Sequence, residues 1–312
     1  MASNPPSRWA IWAGMLVIYI VWSSTYLAIR FAVESMPPFL MAAVRFLLAG
    51  SILFIVRLML GDKLPTRAQW RSTGLIGIFL LLGGNGGVSW AEQRVVSGIA
   101  ALLIGATPLW IVLVDALRPN GQRPGWLSLT GVLIGFAGIA LLLSPWEMAS
   151  SKGESGLSID LLGLIALLGA SLSWAVGSVY SRQAVLPDSP LLATGMEMLA
   201  GGAGLMLLAT FLGEWQCLDV TAISPRAWWA LVYLVFIGAL LGFAAYTWLL
   251  RVAPITLVST YAYVNPLVAI FLGAALAQEA ITPRIIISAL IIVSSVALIS
   301  TANIRRTRSQ VH

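Results

Sequence analysis

Charge is what this sequence has least of. Asp, Glu, Lys and Arg make up 10% of its 312 residues, against about 25% in soluble domains. A chain so poor in charge cannot clothe a surface that faces water all round, so lipid must cover most of it. It has one cysteine, Cys217, which excludes an intramolecular disulfide and reads as a small loop residue. Its one histidine, His312, is the last residue, so no histidine relay crosses the chain and no Cys/His metal spacing exists. Paired carboxylates and an HExxH pair are missing, and the glycine run "GGNGG" (83–87) lacks the GK[ST] of a phosphate loop. Neither a metal nor a cofactor is expected, nor an ATP-driven mechanism. The net charge of +6 follows the loops and forms no patch for nucleic acid.

Apolar residues make up 59% of the sequence, with 13 Trp and 29 Gly, and both types are enriched in membrane helices. A span needs about 20 apolar residues. Ten such runs are predicted, at 10–33, 38–60, 72–92, 96–117, 125–144, 161–184, 190–212, 226–248, 254–275 and 282–302. The first continues past residue 30 and ends at charges, so it reads as a span, not as a removed leader. With the N-terminus in the cytoplasm, twelve of the 18 Lys and Arg fall in inner loops and tails and five, including Lys152, in outer ones; Arg45 lies within a span. The positive-inside bias therefore places both termini in the cytoplasm, as for a multi-pass inner or plasma membrane protein. Trp9, Trp12, Trp70, Trp126, Trp146, Trp215, Trp228 and Trp229 fall near predicted span ends, where aromatic belts anchor helices.

The chain also repeats itself. "WSSTYLAIR" (22–30) returns as "WAVGSVYSR" (174–182). An offset of 152 relates Trp22 to Trp174, Arg30 to Arg182, Pro38 to Pro190 and Gly50 to Gly202; later in the chain an offset of 158 relates Trp90 to Trp248 and Pro108 to Pro266. The expected fold is an all-α membrane protein of ten helices, built as two five-helix repeats. Five is odd, so the copies must be inverted, the signature of secondary transporters. The expected units are 1–145, a linker at 146–158, 159–303, and a basic cytoplasmic tail at 304–312.

The segments "AAVRFLLAG" (42–50), "GNGGVSWAEQRVVSGIAALLIGATPLW" (84–110) and "APITLVSTYAYVNPLVAIFLGAALAQEAIT" (253–282) carry a resemblance. With them the chain, over about residues 10 to 303, is similar to the ten-span EamA-type members of the drug/metabolite transporter superfamily. That resemblance implies a carrier, not an enzyme, that exports amino acids or other small metabolites.

Sites in inverted-repeat carriers lie near the bilayer midplane. Trp22 and Trp174 sit 12 and 13 residues into their spans, far from either interface. Tyr19, Trp22, Ser23 and Tyr26 share one helical face, and Ser171, Trp174, Ala175 and Ser178 are the counterparts. Asn85 is equally deep in its span, among four glycines. Pro108 and Pro266 are candidate hinges that free the carbonyls of Ile104 and Ala262. Thr107 and Asn265 precede them, and Ser259 and Tyr263 share a face with Pro266. The candidate substrate-binding residues are thus Tyr19, Trp22, Tyr26, Asn85, Thr107, Ser171, Trp174, Ser178, Ser259 and Tyr263. Arg45 and Glu197 are charges inside spans at equivalent repeat positions, yet their depths differ by about 10 Å, which argues against a direct pair. Strong proton coupling would have to rest on Glu197 or Asp115, whereas facilitated, gradient-driven export needs fewer special residues and is the favoured expectation. "GVLIGFAG" (131–138) reads as a stripe for close helix packing.

Aromatic walls with few cations suit neutral amino acids better than phosphorylated substrates. Efflux of lipophilic drugs or metabolites is the alternative, and a membrane-embedded lipid enzyme lacks the nucleophile or metal cluster it needs. The partners expected are the bilayer and a small-molecule substrate, with a monomer the simplest carrier.

Overall fold

The computed structural model describes residues 7–118, 123–143 and 160–309. The predicted linker 146–158, with Trp146 and Lys152, lies outside them, as does His312. The described residues form helices and connecting turns, without strands. Ten helical spans follow in order: α1 (Arg8–Val33), α2 (Pro38–Met59), α3 (Arg67–Ala91), α4 (Ser97–Ala116), α5 (Trp126–Leu143), α6 (Leu161–Ser181), α7 (Pro190–Phe211), α8 (Pro225–Val252), α9 (Ile255–Val258 and Tyr261–Ala277) and α10 (Pro283–Ser309). Eight are long and apolar enough to cross a membrane; in α5 and α9 the apolar helices are shorter. The face at which α1 begins is called the near face, and the opposite one the far face.

Local chemistry sets where these helices start. Pro is the first residue of α2, α7 and α8, where its missing N–H costs nothing. Ser7, Ser189, Ser224 and Asp160 accept from free N–H groups of the first turns of α1, α7, α8 and α6. Thr66 and Gln69 close a capping box at α3. Glu214, beyond the end of α7, reaches across to accept from Leu40 N at 2.7 Å and Phe39 N at 3.2 Å, and so caps α2 from the other half of the chain.

Two spans hold a feature the periodicity did not announce. Ile78–Asn85 in α3 and Leu234–Leu241 in α8 are π-helical, at matching depths in the two halves. A π turn widens the helix and tilts its carbonyls outward. In α3 one of these is recovered by Ser173, whose hydroxyl donates to Phe79 O at 2.7 Å.

The packing is the same when α1–α5 are exchanged for α6–α10. The helix α1 packs on α8 and α9, and its mate α6 packs on α3 and α4. Three helices pack directly on their own mates: α2 on α7, α4 on α9 and α5 on α10. All three pairs run antiparallel. Along α2, Leu47 meets Gly202, Gly50 meets Met198 and Phe54 meets Gly195. Along α5, Gly131 meets Ile299, Gly135 meets Ser295 and Gly138 meets Ile291. Glycine makes these seams possible: a Cβ on Gly50 would lie 2.9 Å from the Gly195 carbonyl oxygen; the helix α3 approaches α7 as closely, where a Cβ on Gly77 would clash with the Glu197 carbonyl oxygen. Equivalent helices that face each other head to tail are the inverted arrangement the odd span count required.

The core lies at the far side of this bundle. In α4 every residue from Ser97 to Leu103 is buried, whereas every residue from Trp110 to Ala116 is half-buried. In α9 the near end, Ser259 to Val264, is likewise half-buried throughout, while the far end alternates buried residues such as Asn265, Pro266, Ala269 and Gly273 with exposed ones. The helix α4 is tightly packed toward the far face, and both central helices are looser toward the near face. The exposed Trp9, Trp12, Trp70, Trp126, Trp215, Trp228 and Trp229 ring the helix ends.

Candidate functional site

Midway along α1 the Trp22 ring stands among aromatics of the other half: Tyr246 at 5.0 Å, Tyr261 at 5.1 Å and Phe243 at 5.5 Å between ring centroids. Tyr246 and Tyr261 meet edge-on at 5.9 Å. The indole nitrogen lies over Gly242, where a Cβ would approach it to 2.6 Å. Trp174 repeats the contact. It lies over Gly84 of α3, where a Cβ would stand 2.8 Å from its ring. The two tryptophans are related by 152 and the two glycines by 158, the offsets of the repeat. Each half thus supplies one half-buried indole that is seated on a backbone groove of the other.

The remaining sequence candidates fall into two groups. Tyr19 and Tyr26 accompany Trp22 on α1, and the Tyr19 hydroxyl is bonded to Thr260. Ser23, by contrast, is fully buried and bonds the Tyr19 carbonyl of its own helix, so it does not line the space. Ser171 joins Thr107, hydroxyl to hydroxyl at 3.0 Å, beneath Trp174. Thr107 also donates to Ile104 O at 2.6 Å, which satisfies the carbonyl that Pro108 frees. Asn85 closes the π turn of α3 by donating to Leu80 O at 3.4 Å. Ser178 is half-buried one turn past Trp174. Ser259 and Tyr263 are half-buried on α9.

The hinges differ between halves. The helix α4 is interrupted at Ala106, next to Thr107 and Pro108. In α9 the interruption lies at 259–260, and Pro266 sits inside a continuous helix with its ring against Gly105 of α4. This break turns the following face, and it explains why Tyr261 reaches Trp22, a neighbour that an unbroken helix over 254–275 did not suggest. Phe243 and Tyr246 were missed because α8 carries its π turn just before them.

Charges gather at the far side. Arg30 pairs with Glu279 at 3.2 Å. Glu279 also accepts from Ser97 N at 2.9 Å, Ser97 Oγ at 2.8 Å and Gly98 N at 3.1 Å, and so caps α4. Arg45 is 4% exposed, lies over the Phe46 ring and interacts electrostatically with Glu92, not Glu197. Glu92 is 3% exposed and interacts with Arg30, Arg45 and Glu279. Glu197 is half-buried on α7, where its backbone touches Gly77. At the near face Arg182, the repeat mate of Arg30, approaches Asp115 at only 3.9 Å and is 57% exposed at its side chain. Sequence reading had no means of joining residues 30, 45, 92 and 279, since they come from three different spans and the turn after a fourth.

Chemically, the arrangement offers aromatic faces, hydroxyls and one amide at mid-depth, and sealed charges at one end. Among the described residues no cluster of His, Cys, Asp or Glu suits a metal ion. This is equipment for holding and releasing a small molecule. Comparison with known proteins agrees. The model of the EamA-like transporter family matches residues 7–144 and again 161–301. An inner membrane transporter of Escherichia coli named YedA is 38% identical over 274 residues, 87% of this chain and 84% of that protein. A probable amino-acid metabolite efflux pump of Escherichia coli is 23% identical, over 86% of this chain and 87% of that protein. A solved crystal structure has a TM-score of 0.61 at 24% identity, covering 94% of this chain and 99% of that one, which is agreement of fold. The chain belongs to the EamA-like family and is a multi-pass membrane transporter of the drug/metabolite type.

Proposed function

We propose that this transporter exports small neutral metabolites, foremost amino acids with aromatic or other apolar side chains, by alternating access. The two halves, 1–145 and 159–303, rock about a midplane cavity. The near face is the cytoplasmic one, which puts both termini inside, as the Lys and Arg bias of the loops requires. In this assignment the described state is closed outward and loosened inward.

The observation that carries the substrate class is the doubled Trp–glycine seat. An aromatic substrate that stacks on such a ring gains about 0.5–1.5 kcal/mol beyond its buried area. A substrate ammonium over the Trp22–Tyr246–Tyr261 faces gains about 1–2 kcal/mol when desolvated. A phosphorylated substrate needs several Arg or Lys side chains pointing inward. The cations inside the spans and away from their ends reduce, among the described residues, to Arg45, which is buried beside the Phe46 ring. The efflux activity in the name of the 23% identical relative points the same way.

Purified protein in liposomes tests this with radiolabelled Phe, Leu, Thr and Lys. Saturable uptake of Phe or Leu that exceeds that of Lys is expected. Transport of none of the four, together with transport of a lipophilic cation such as tetraphenylphosphonium, overturns the amino-acid reading in favour of drug efflux.

A further inference from the structure

Seven buried side-chain polar atoms lack a hydrogen-bond partner among the described residues, and four of them belong to one spot: Arg45 Nε, Ser89 Oγ and both carboxylate oxygens of Glu92. Ser89 and Glu92 lie three residues apart on one face of the far end of α3. The charged and titratable groups facing Glu92 are Arg30 and Tyr26 from α1, Arg45 from α2, and Glu279 from the turn after α9. The two carboxylates of this cluster are held differently. Glu279 has an ion pair and three hydrogen bonds, so it is held in place. Glu92 has no ion pair and no side-chain hydrogen bond among the described residues, and the Arg30 backbone is the one donor group set against it. An ionised carboxylate in that position is costly to bury, whereas a neutral one is cheaper.

We infer that Glu92 is the proton-binding site that couples export to proton entry. The proton binds a Glu92 carboxylate oxygen from the outer solution while the outer side is open, and the neutral side chain is then buried as that side closes. It leaves toward the cytoplasm, and Glu92 returns ionised when substrate moves out: one proton in for each substrate out, with no bond changed but O–H. The route to the substrate is α1 itself, which carries Arg30 at the Glu92 cluster and Tyr26 and Trp22 one and two turns before it. A charge change at Glu92 therefore acts on the helix that holds the aromatic seat. Glu92 joins Glu197 and Asp115, the carriers that sequence alone offered.

The coupling rests on the proposed exporter reading, but its test does not require the substrate to be known. Spin labels are placed at Gln93→Cys and Ala280→Cys, both exposed and on opposite halves at the outer face, in a Cys217→Ser background. Their distance is measured by pulsed electron resonance in lipid nanodiscs between pH 5.5 and 8.5. The closed, short-distance population is expected to grow as pH falls, by up to about tenfold per pH unit, the limit for one linked proton. Glu92→Gln should stay closed at every pH. Asp219→Asn, an exposed carboxylate on the same face, should keep the full response. Should Glu92→Gln not fold, Glu92→Asp should move the midpoint. A response that survives in Glu92→Gln, a midpoint unmoved in Glu92→Asp, or a wild type blind to pH overturns the inference. Uptake of no amino acid in the liposome assay would overturn the substrate reading and leave this result standing.

Discussion

Removing the carboxylate of Glu279 should open the outer side. That side chain ties Arg30 of the first half to the second, and at the same time caps α4 through three donors on Ser97 and Gly98. Glu279→Ala takes away all four contacts. Breaking a buried ion pair by deleting one partner costs about 3–5 kcal/mol. Arg30 retains 30% side-chain exposure, so water recovers part of that cost and the lower end, about 3 kcal/mol, applies. The loss falls on the closed state alone, because opening parts these groups in any case. The closed-to-open ratio should therefore fall on the order of a hundredfold. Ala100, one turn deeper in α4 and fully buried, reports on this. Ala100→Cys in the Cys217→Ser background should resist a polar maleimide applied from outside, and should react readily once Glu279→Ala is added. Continued protection of Ala100→Cys in the double variant, with the protein folded by circular dichroism, would refute the idea that this pair seals the outer face.

Trp22→Ala and Trp174→Ala should each cut transport of aromatic amino acids at least tenfold, with amounts in the membrane near those of wild type; normal rates in both would remove the aromatic seat from the mechanism. Gly84→Val should cost about 1–3 kcal/mol by overpacking Trp174, and adding Trp174→Ala should restore the thermal midpoint; additive losses would mean that the two do not touch. The N–H of Gly163 and the guanidinium of Arg94 hold the Asp160 carboxyl below its usual range. The anchoring of α6 by this residue should thus be complete above about pH 4 and fade as pH falls through the lower folded value. Hydrogen exchange of the first α6 amides should show that loss on acidification, and Asp160→Asn should remove the pH dependence.

Much of the fold could be read from the chain because bilayer physics leaves few choices. Runs of 20 apolar residues can only be spans, and boundaries such as Pro38 and Pro190 were read to the residue. The repeat offsets named Trp22 and Trp174 as equivalents before their shared contact with glycine was visible. The aromatic partners were out of reach for a local reason. Periodicity assumes 3.6 residues per turn, and both α8 and α9 depart from it shortly before the residues that matter. Glu92 was hidden differently. At the tip of a span a carboxylate looks like an interfacial residue, and only the meeting of α1, α2, α3 and the turn after α9 shows it sealed away.

Head-to-tail pairing of equivalent helices has one more consequence. In a carrier with perfect internal symmetry the inward and outward forms would be the same object seen from opposite sides, and neither would be preferred. Whatever preference exists must be written where the copies disagree. Arg45 answers to Glu197 and Glu92 answers to Leu250. On the proposed alternating-access cycle, mismatched positions such as these, and not the matched aromatic pair, would set the resting direction.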